Sequence, residues 1–349
     1  MAFNIIKNQE PYYNNAGFYE NTKDYEGDDD CVCYRYKRFN KQLVAVLNPK
    51  IDTLRFTLDT KDNELRKIIH DKMVGLGKMW EPTEEHFGEA KYGTYEIRRY
   101  VKGFPKDVVL FATKLNNFTN NFLQVGLHAA DFKAQDIKKL FDLLSDLSNG
   151  HWASKFIYEN SGIIRMDWCV DFNHISPHEI GMWKTSGTRG AKHFIHRGLG
   201  TTGMELNAKH PEKGNKNKKG KHNASKAYYY NKGHQSKSKG EDTTRFEFRT
   251  FKEGTSIKDN IISAGKKGVF KPYDVLDFAN TKPVGFEDHE WLSFGDACKM
   301  RTRDQAVSML PVHKQENAVA SISKIGDKVW QVEKLKAAMT RETERFKFF

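Results

Sequence analysis

The sequence predicts an α+β fold: a mostly antiparallel sheet with packed helices, followed by a helical C-terminal segment. Three observations carry this expectation. Short runs with apolar residues at alternate positions recur from about residue 43 to 251, as in strands with one buried face. One strongly amphipathic helix, Asp131 to Leu147, stands among them. After about Lys282 the chain becomes charged and helical in pattern. Strands, a helix, then more strands suit a segregated α+β arrangement.

The elements follow in order. Residues 1–42 are polar and aromatic, with acidic residues from Glu26 to Asp30, and read as a loosely packed extension. Leu43 to Leu58 is strand-like, with Ile51, Leu54, Phe56 and Leu58 late in the run. Leu65 to Val74 has helical spacing. Gly93 to Val101, Asp107 to Thr113 and Phe122 to Leu127 are strand candidates. In the helix from Asp131, residues Phe132, Ile137, Leu140, Phe141, Leu144 and Leu147 fall on one face; Asp131 is the expected cap and Asn149-Gly150 the stop. Ile163 to Phe172, the tyrosines at 228–230 and Thr243 to Phe251 are further strands. Val319 to Phe346 carries spaced apolar residues, broken at Gly326. The expected organisation is an extension at 1–42, a main domain at 43–282 and a helical segment at 283–349.

With 57 Lys+Arg against 45 Asp+Glu, the formal net charge is +12, a field that attracts phosphate backbones or anionic surfaces. No stretch approaches the ~20 apolar residues of a membrane span, and the first ten residues lack a signal-peptide core, so a soluble, cytoplasmic chain is expected. The four cysteines (31, 33, 169 and 298) lack disulfide or zinc-knuckle spacing and read as reduced thiols. Residues 207–226 hold Lys209, Lys213, Lys216, Lys218, Lys219, Lys221 and Lys226 and almost nothing apolar. They form a solvated loop that can lie against a nucleic-acid backbone.

Three segments can carry chemistry. Alternation along the strand at 165–172 puts Arg165, Asp167, Cys169 and Asp171 on one face and Met166, Trp168, Val170 and Phe172 on the other. Two carboxylates so close want a cation, either Arg165 in a salt bridge or a hard divalent ion. In the strand at 244–249, Glu247 lies between Arg245 and Arg249, as a structural ion pair or as a metal ligand flanked by phosphate-binding groups. In Tyr228-Tyr229-Tyr230-Asn231-Lys232, Tyr228 and Tyr230 share one face with Lys232, and that face is expected to be exposed. Aromatic packing is the simpler reading. The alternative is a nucleophile, which a nearby ammonium and a metal ion would activate. His193 and His196 are one residue too far apart for a His-hydrophobic-His pair.

The order of these motifs resembles the replication-initiation-factor family of rolling-circle plasmid initiators and filamentous-phage relatives. The matching segments are Ile51 to Thr57, Phe122 to Leu127 before the helix, Arg165/Asp167/Asp171, Gly200 to Gly203, Tyr230-Asn231-Lys232 and Arg245 to Arg249. Together they span roughly residues 45–255. The Gly-rich motif before the helix is degraded to Gly126-Leu127-His128-Ala129-Ala130, and Gly233-His234-Gln235 stands where an acidic residue is common. The resemblance implies a nicking-endonuclease-like fold and a site in which Asp167, Asp171, Glu247 and Asp52 hold Mg2+ or Mn2+. It implies that Tyr230, or else Tyr228, joins to a 5′ phosphate, with Lys232, Arg245 and Arg249 stabilising the added charge. Arg165 and the lysine-rich loop would then grip single-stranded, hairpin or duplex origin DNA. A P-loop is absent, so unwinding would need a host helicase, and a symmetric origin would suit a homodimer. The element would be a bacterial plasmid or phage. A non-catalytic DNA-binding regulator and a protein that stacks single-stranded nucleic acid on Tyr228 to Tyr230 are the alternatives.

Overall fold

The computed structural model describes residues 32–37, 43–76, 78–79, 95–113, 115, 122–175, 180–184, 192–195, 204–207, 226–232, 243–249, 252–265, 273–277, 285–287, 289–290, 294, 303–321, 323–324 and 332–349. The elements are β1 (Val32–Lys37), β2 (Leu43–Leu47), β3 (Lys50–Leu58), α1 (Asn63–Val74), β4 (Lys78–Met79), β5 (Tyr95–Val101), β6 (Val108–Thr113) and β7 (Leu123–Leu127). A 3-10 turn (Ala129–Asp131) leads to α2 (Ala134–Leu147), α3 (Ser154–Asn160), β8 (Gly162–Asn173), β9 (Ile180–Lys184), β10 (Lys192–Ile195), β11 (Met204–Asn207), β12 (Lys226–Asn231) and β13 (Thr243–Arg249). Then follow α4 (Ile257–Ala264), β14 (Tyr273–Asp277), α5 (Arg303–Ser308), α6 (Val312–Ser321), β15 (Ser323–Lys324) and α7 (Val332–Phe346).

The fold is α+β, as expected. Among the described residues, twelve strands form one sheet whose main path runs β10-β11-β12-β13-β8-β3-β7-β6-β5-β4, and β14 with β9 and β15 forms a second, three-stranded sheet. Every strand pairing among the described residues is antiparallel. The long strand β8 is the spine: β13 pairs along one edge, and β3 then β2 along the other. At its start, Gly162 lets β3 approach closely, since a Cβ there would lie 2.8 Å from Thr57 Oγ1.

Alternation divides the two faces of this sheet. Ile51, Leu54, Phe56, Met166, Trp168, Val170, Phe246 and Phe248 point into the core. The apolar stripes of α1, α2, α3, α4 and α7 join the same cluster. In α2 every one of Ile137, Leu140, Phe141, Leu144 and Leu147 is buried. Asn149 and Gly150, at φ 50° and 86°, end that helix in the left-handed region. Asp62 caps α1, accepting from the Glu64 and Leu65 N–H groups at 2.9 and 3.2 Å.

Three expectations change. Residues 32–37 form a strand paired with β2, so part of the expected extension belongs to the sheet, because β2 offers an open edge. The helix after Asp131 begins three residues later, at Ala134. Asp131 closes the 3-10 turn, and Asp136 instead accepts from the Lys133 N–H at 2.8 Å. The division near residue 283 does not isolate the last helix: Leu335, Ala338, Met339 and Phe346 of α7 are buried in the main core. Their spacing gives α7 one apolar stripe, and the surface offered by α2, α4 and β3 is where it is buried. Leu335→Ala is therefore expected to cost roughly 2–5 kcal/mol. It should shift a single cooperative urea transition of the sheet; loss of only a separate, minor transition would contradict the shared core.

Candidate functional site

The polar face of β12, β13, β8 and β3 gathers most of the sequence-predicted site. Cross-strand register places Tyr230 opposite Arg245, Arg245 opposite Asp171, Glu247 opposite Cys169, and Arg249 opposite Asp167. Asp52 reaches this face through a register shift in β3 between Ile51 and Thr53. A bulge of this kind re-aims a side chain that strict alternation would turn away. The Thr53 hydroxyl then donates to Asp52 at 3.2 Å.

Arg245 is the centre of the lattice. Its guanidinium is buried and donates to both oxygens of Asp171, at 2.6 and 2.7 Å, and to Asp52 at 2.7 Å. Burial alone would raise the Asp171 pKa, but the charge and hydrogen bonds of Arg245 outweigh it and hold the carboxyl at about 2. Asp167 is shared in the same way. Arg249 Nε binds one of its oxygens at 2.7 Å, and Arg165 Nε binds the other at 2.6 Å. Against the penalty of burial, these two arginines keep Asp167 below the ordinary carboxylate range. Opposite Arg165, β3 adds another cation, Arg55. Like charges directly across a strand pair cost stability, so this edge of the face suits an anion.

Glu247 behaves differently. The Tyr230 hydroxyl donates to its Oε1. Burial, then the charge of Asp52, pushes the Glu247 carboxyl up to about 8, although Tyr230 and Arg245 pull the other way. Burial and the neighbouring Glu247 raise the Tyr230 phenol well above its ordinary value, opposed by Arg245. Tyr230 is buried, with 3 % of its surface exposed. The expectation of an exposed tyrosine face is thus corrected: Tyr230 pairs with Arg245 of β13, and its hydroxyl is held by Glu247 on the same strand. Tyr229 packs in the core, as alternation requires. The side chain of Tyr228 lies outside the described residues, although its backbone pairs with Glu247. Lys232 directly follows β12 and is half-buried, and its charge reaches both Asp171 and His128.

His128 is the functional candidate the sequence reasoning missed. It follows Leu127, whose Cα pairs with core-facing Leu54, so one further step turns it to the polar face. Loss of hydration lowers its pKa most; Asp52 and Asp131 oppose this, and Lys232 and Arg165 reinforce it. The signal was strand alternation carried one residue beyond Phe122 to Leu127. Behind Asp52, α7 fixes the backbone: Glu342 accepts from the Ile51 N–H at 3.1 Å, while Arg345 donates to Glu342 at 2.6 Å and to the Ala129 carbonyl at 2.7 Å.

The carboxylates differ in their fitness to hold a cation. Both oxygens of Asp167 and of Asp171 are committed to guanidinium groups, which satisfy their charge without a metal. Of the two, Arg165 pairs only with Asp167, and Asp171 pairs with Arg245, which is itself buried among carboxylates. Both oxygens of Asp52 also accept, from Arg245 and from Thr53, whereas Glu247 accepts from a phenol and is repelled by Asp52, a repulsion that a hard divalent ion would relieve. Among the described residues, no group of three or more His, Cys, Asp or Glu side chains is arranged to hold a metal ion. Lys209, Lys213, Lys216, Lys218, Lys219, Lys221 and Gly200 to Gly203 lie outside the described residues, as does the side chain of Lys226. No helix among the described residues is long and apolar enough to cross a membrane.

No protein-family model matches the sequence, and no curated relative is detected. A solved structure of a rolling circle replication initiator protein from Geobacillus stearothermophilus is similar to this chain at 18% identity and a TM-score of 0.31. The alignment covers 73% of this chain and 97% of the other. A likeness at that score does not bear on activity.

Two outcomes follow from this electrostatics. Arg245→Met leaves Asp171 and Asp52 buried without their cation and is expected to cost roughly 3–5 kcal/mol in urea unfolding. For Glu247, the folded-state pKa of about 8 lies above the ordinary 4.5. Its contribution is therefore complete below pH 4.5 and is lost as pH rises towards 8. Glu247→Gln should flatten the decline in melting temperature across that window, and an unchanged decline would show that Glu247 does not titrate there.

Proposed function

We propose that the chain is a rolling-circle replication initiator that nicks and rejoins one DNA strand at an origin through Tyr230. The observation that carries this reading is the Tyr230–Glu247 hydrogen bond on a sheet face lined by Arg165, Arg249 and Arg55. A buried phenol with a raised pKa is a poor nucleophile by itself. It needs a proton acceptor in contact, and Glu247 is one. In the proposed step, Tyr230 Oη forms a bond to phosphorus and its proton passes to Glu247. The bond from phosphorus to the 3′ oxygen breaks, and that oxygen takes a proton from solvent water to give a 3′ hydroxyl. The phosphotyrosine conserves the bond, so the strand can be resealed.

Arg249 and Arg165, with 23 and 32 % of their side chains exposed, are the guanidinium groups best placed to meet a phosphate. Arg245 acts at one remove, holding Asp52 and Asp171 in place and reducing the negative field around Tyr230. Mg2+ or Mn2+ belongs to this proposal, with Glu247 and Asp52 as the residues that would hold it. When bound, it would polarise the scissile phosphate. The lysine-rich loop would track the DNA backbone, a host helicase would unwind the duplex, and a homodimer would match a symmetric origin. The protein would work in the bacterial cytoplasm, on a plasmid or phage replicon.

A non-catalytic DNA-binding regulator is the second reading. It is favoured by one observation: Asp167 and Asp171 are locked in ion pairs that need no catalytic role. A covalent adduct separates the two. End-labelled single-stranded origin oligonucleotides, incubated with Mn2+ and with EDTA, are expected to give a protein–DNA adduct only with the metal and only with Tyr230 intact. An adduct that survives in Tyr230→Phe but not in Tyr228→Phe would move the nucleophile. No adduct, despite tight and salt-sensitive binding, would leave the regulator.

Glu247→Gln is expected to slow adduct formation by roughly 10²-fold or more, and an unchanged rate would exclude Glu247 as the acceptor.

A further inference from the structure

A cleft of about 410 Å3 opens beside the site, between the β2–β3 bend, the 3-10 turn and α7. That volume lies within the range of small-molecule pockets, which begin near ~300 Å3. Its lining is two-sided. Pro49, Ala130, Phe132 and Ala338 give it an apolar wall. Lys50, Lys133 and Arg341 supply cations, and Lys133 also stands at the positive end of α2.

The carboxylates there do not cancel this charge. Glu342 is buried and already committed to the Ile51 N–H and to Arg345. Among the described residues that line it, Asp131 is the other carboxylate, set against Lys133 and Arg341, while Lys50 is already engaged with Asp171. An apolar wall facing a cationic rim is the chemistry of a nucleotide subsite: the wall takes a sugar or base, and the rim takes a phosphate.

The cleft borders segments that carry the site described above: Lys50 and Asp131 of its lining stand two and three residues from Asp52 and His128. Lys50 lines it and also acts on Asp171 and Cys169. Asp131 lines it and acts on His128. The Glu342–Arg345 pair on its α7 side grips Ile51, the residue before Asp52.

We propose that this cleft binds one nucleotide of the single strand, next to the nucleotide whose phosphate meets Tyr230. The proposal rests on the nicking reading for the identity of the strand, but the cleft's own chemistry selects the ligand class. It also gives α7 a role at the site: the helix supplies Arg341 and Ala338 and so takes part in holding the strand.

The test uses the full chain carrying Tyr230→Phe, so that no adduct forms. Binding of 5′-dTMP is measured by calorimetry and binding of a labelled single-stranded 12-mer by anisotropy. Lys133→Gln with Arg341→Gln is the cleft variant. Lys138→Gln, an exposed change on the helix that Lys133 precedes, is the charge control. Both altered cleft residues are exposed, and thermal melting checks that the fold is kept.

The expected result is that 5′-dTMP binds and that the cleft variant weakens both ligands by about tenfold, or ~1.4 kcal/mol, while the control does not. The log–log salt slope for the 12-mer should also fall by about 0.7 for each phosphate that the variant no longer neutralises. Unchanged affinities in the cleft variant, or no 5′-dTMP binding to a chain that binds the 12-mer, would overturn the proposal. If the cleft variant fails to weaken binding while native protein still forms the Tyr230 adduct, the cleft is wrong and nicking stands. If the variant weakens binding but native protein forms no adduct, the cleft stands and nicking is wrong.

Discussion

Arg245 is the residue on which the polar half of this structure depends. Its guanidinium lies under the sheet face and joins three strands: its own, the spine β8 through Asp171, and β3 through Asp52. A guanidinium can do this because its donors diverge in one plane, so a bidentate pair to one carboxylate leaves a nitrogen for a second. Ion pairs at this depth add little net stability over apolar packing, yet removal of one member is severe, because the others remain buried and charged. The arrangement therefore specifies register more than it adds strength. A slip of one residue in β13 would turn Arg245 into the core and Phe246 out of it.

The distribution of charge around Arg245 explains the contrast between the carboxylates. Asp171 and Asp167 each have both oxygens satisfied by arginines, and both pKa values fall. Glu247 has a phenol as its hydrogen-bond donor and Asp52 as a nearby repelling charge, and its pKa rises to about 8. One face thus holds permanently ionised carboxylates beside one that titrates near neutrality, the difference in environment by which a site divides structural from proton-accepting roles. The bulge in β3 matters to both, since it brings Asp52 to the face where it pairs with Arg245 and repels Glu247.

The far end of the chain takes part in this arrangement. The Glu342–Arg345 pair of α7 binds the peptide groups of Ile51 and the 3-10 turn after β7. Asp52 and His128 stand on those two segments, so the last helix braces the ground under the site while its apolar stripe closes the core. A separate C-terminal segment could not do this.

Much of the fold was legible because alternation and helical spacing are local. Ile163 to Phe172 and Thr243 to Phe251 announced two of the central strands, and the stripe from Ile137 to Leu147 announced α2. The faces of β8 and β13 were legible too, so Asp167, Asp171, Arg245, Glu247 and Arg249 were placed together from sequence. By itself the sequence determined the α+β class, the residues of the polar face and the positive charge. Which carboxylate each arginine takes, that Tyr230 is buried against Glu247, that His128 joins the face and that α7 returns to Ile51 were decided by tertiary structure alone. Each depends on cross-strand register, on a bulge, or on contacts between residues up to 294 apart in sequence. Periodicity fixes the direction of a side chain, but only packing fixes its partner.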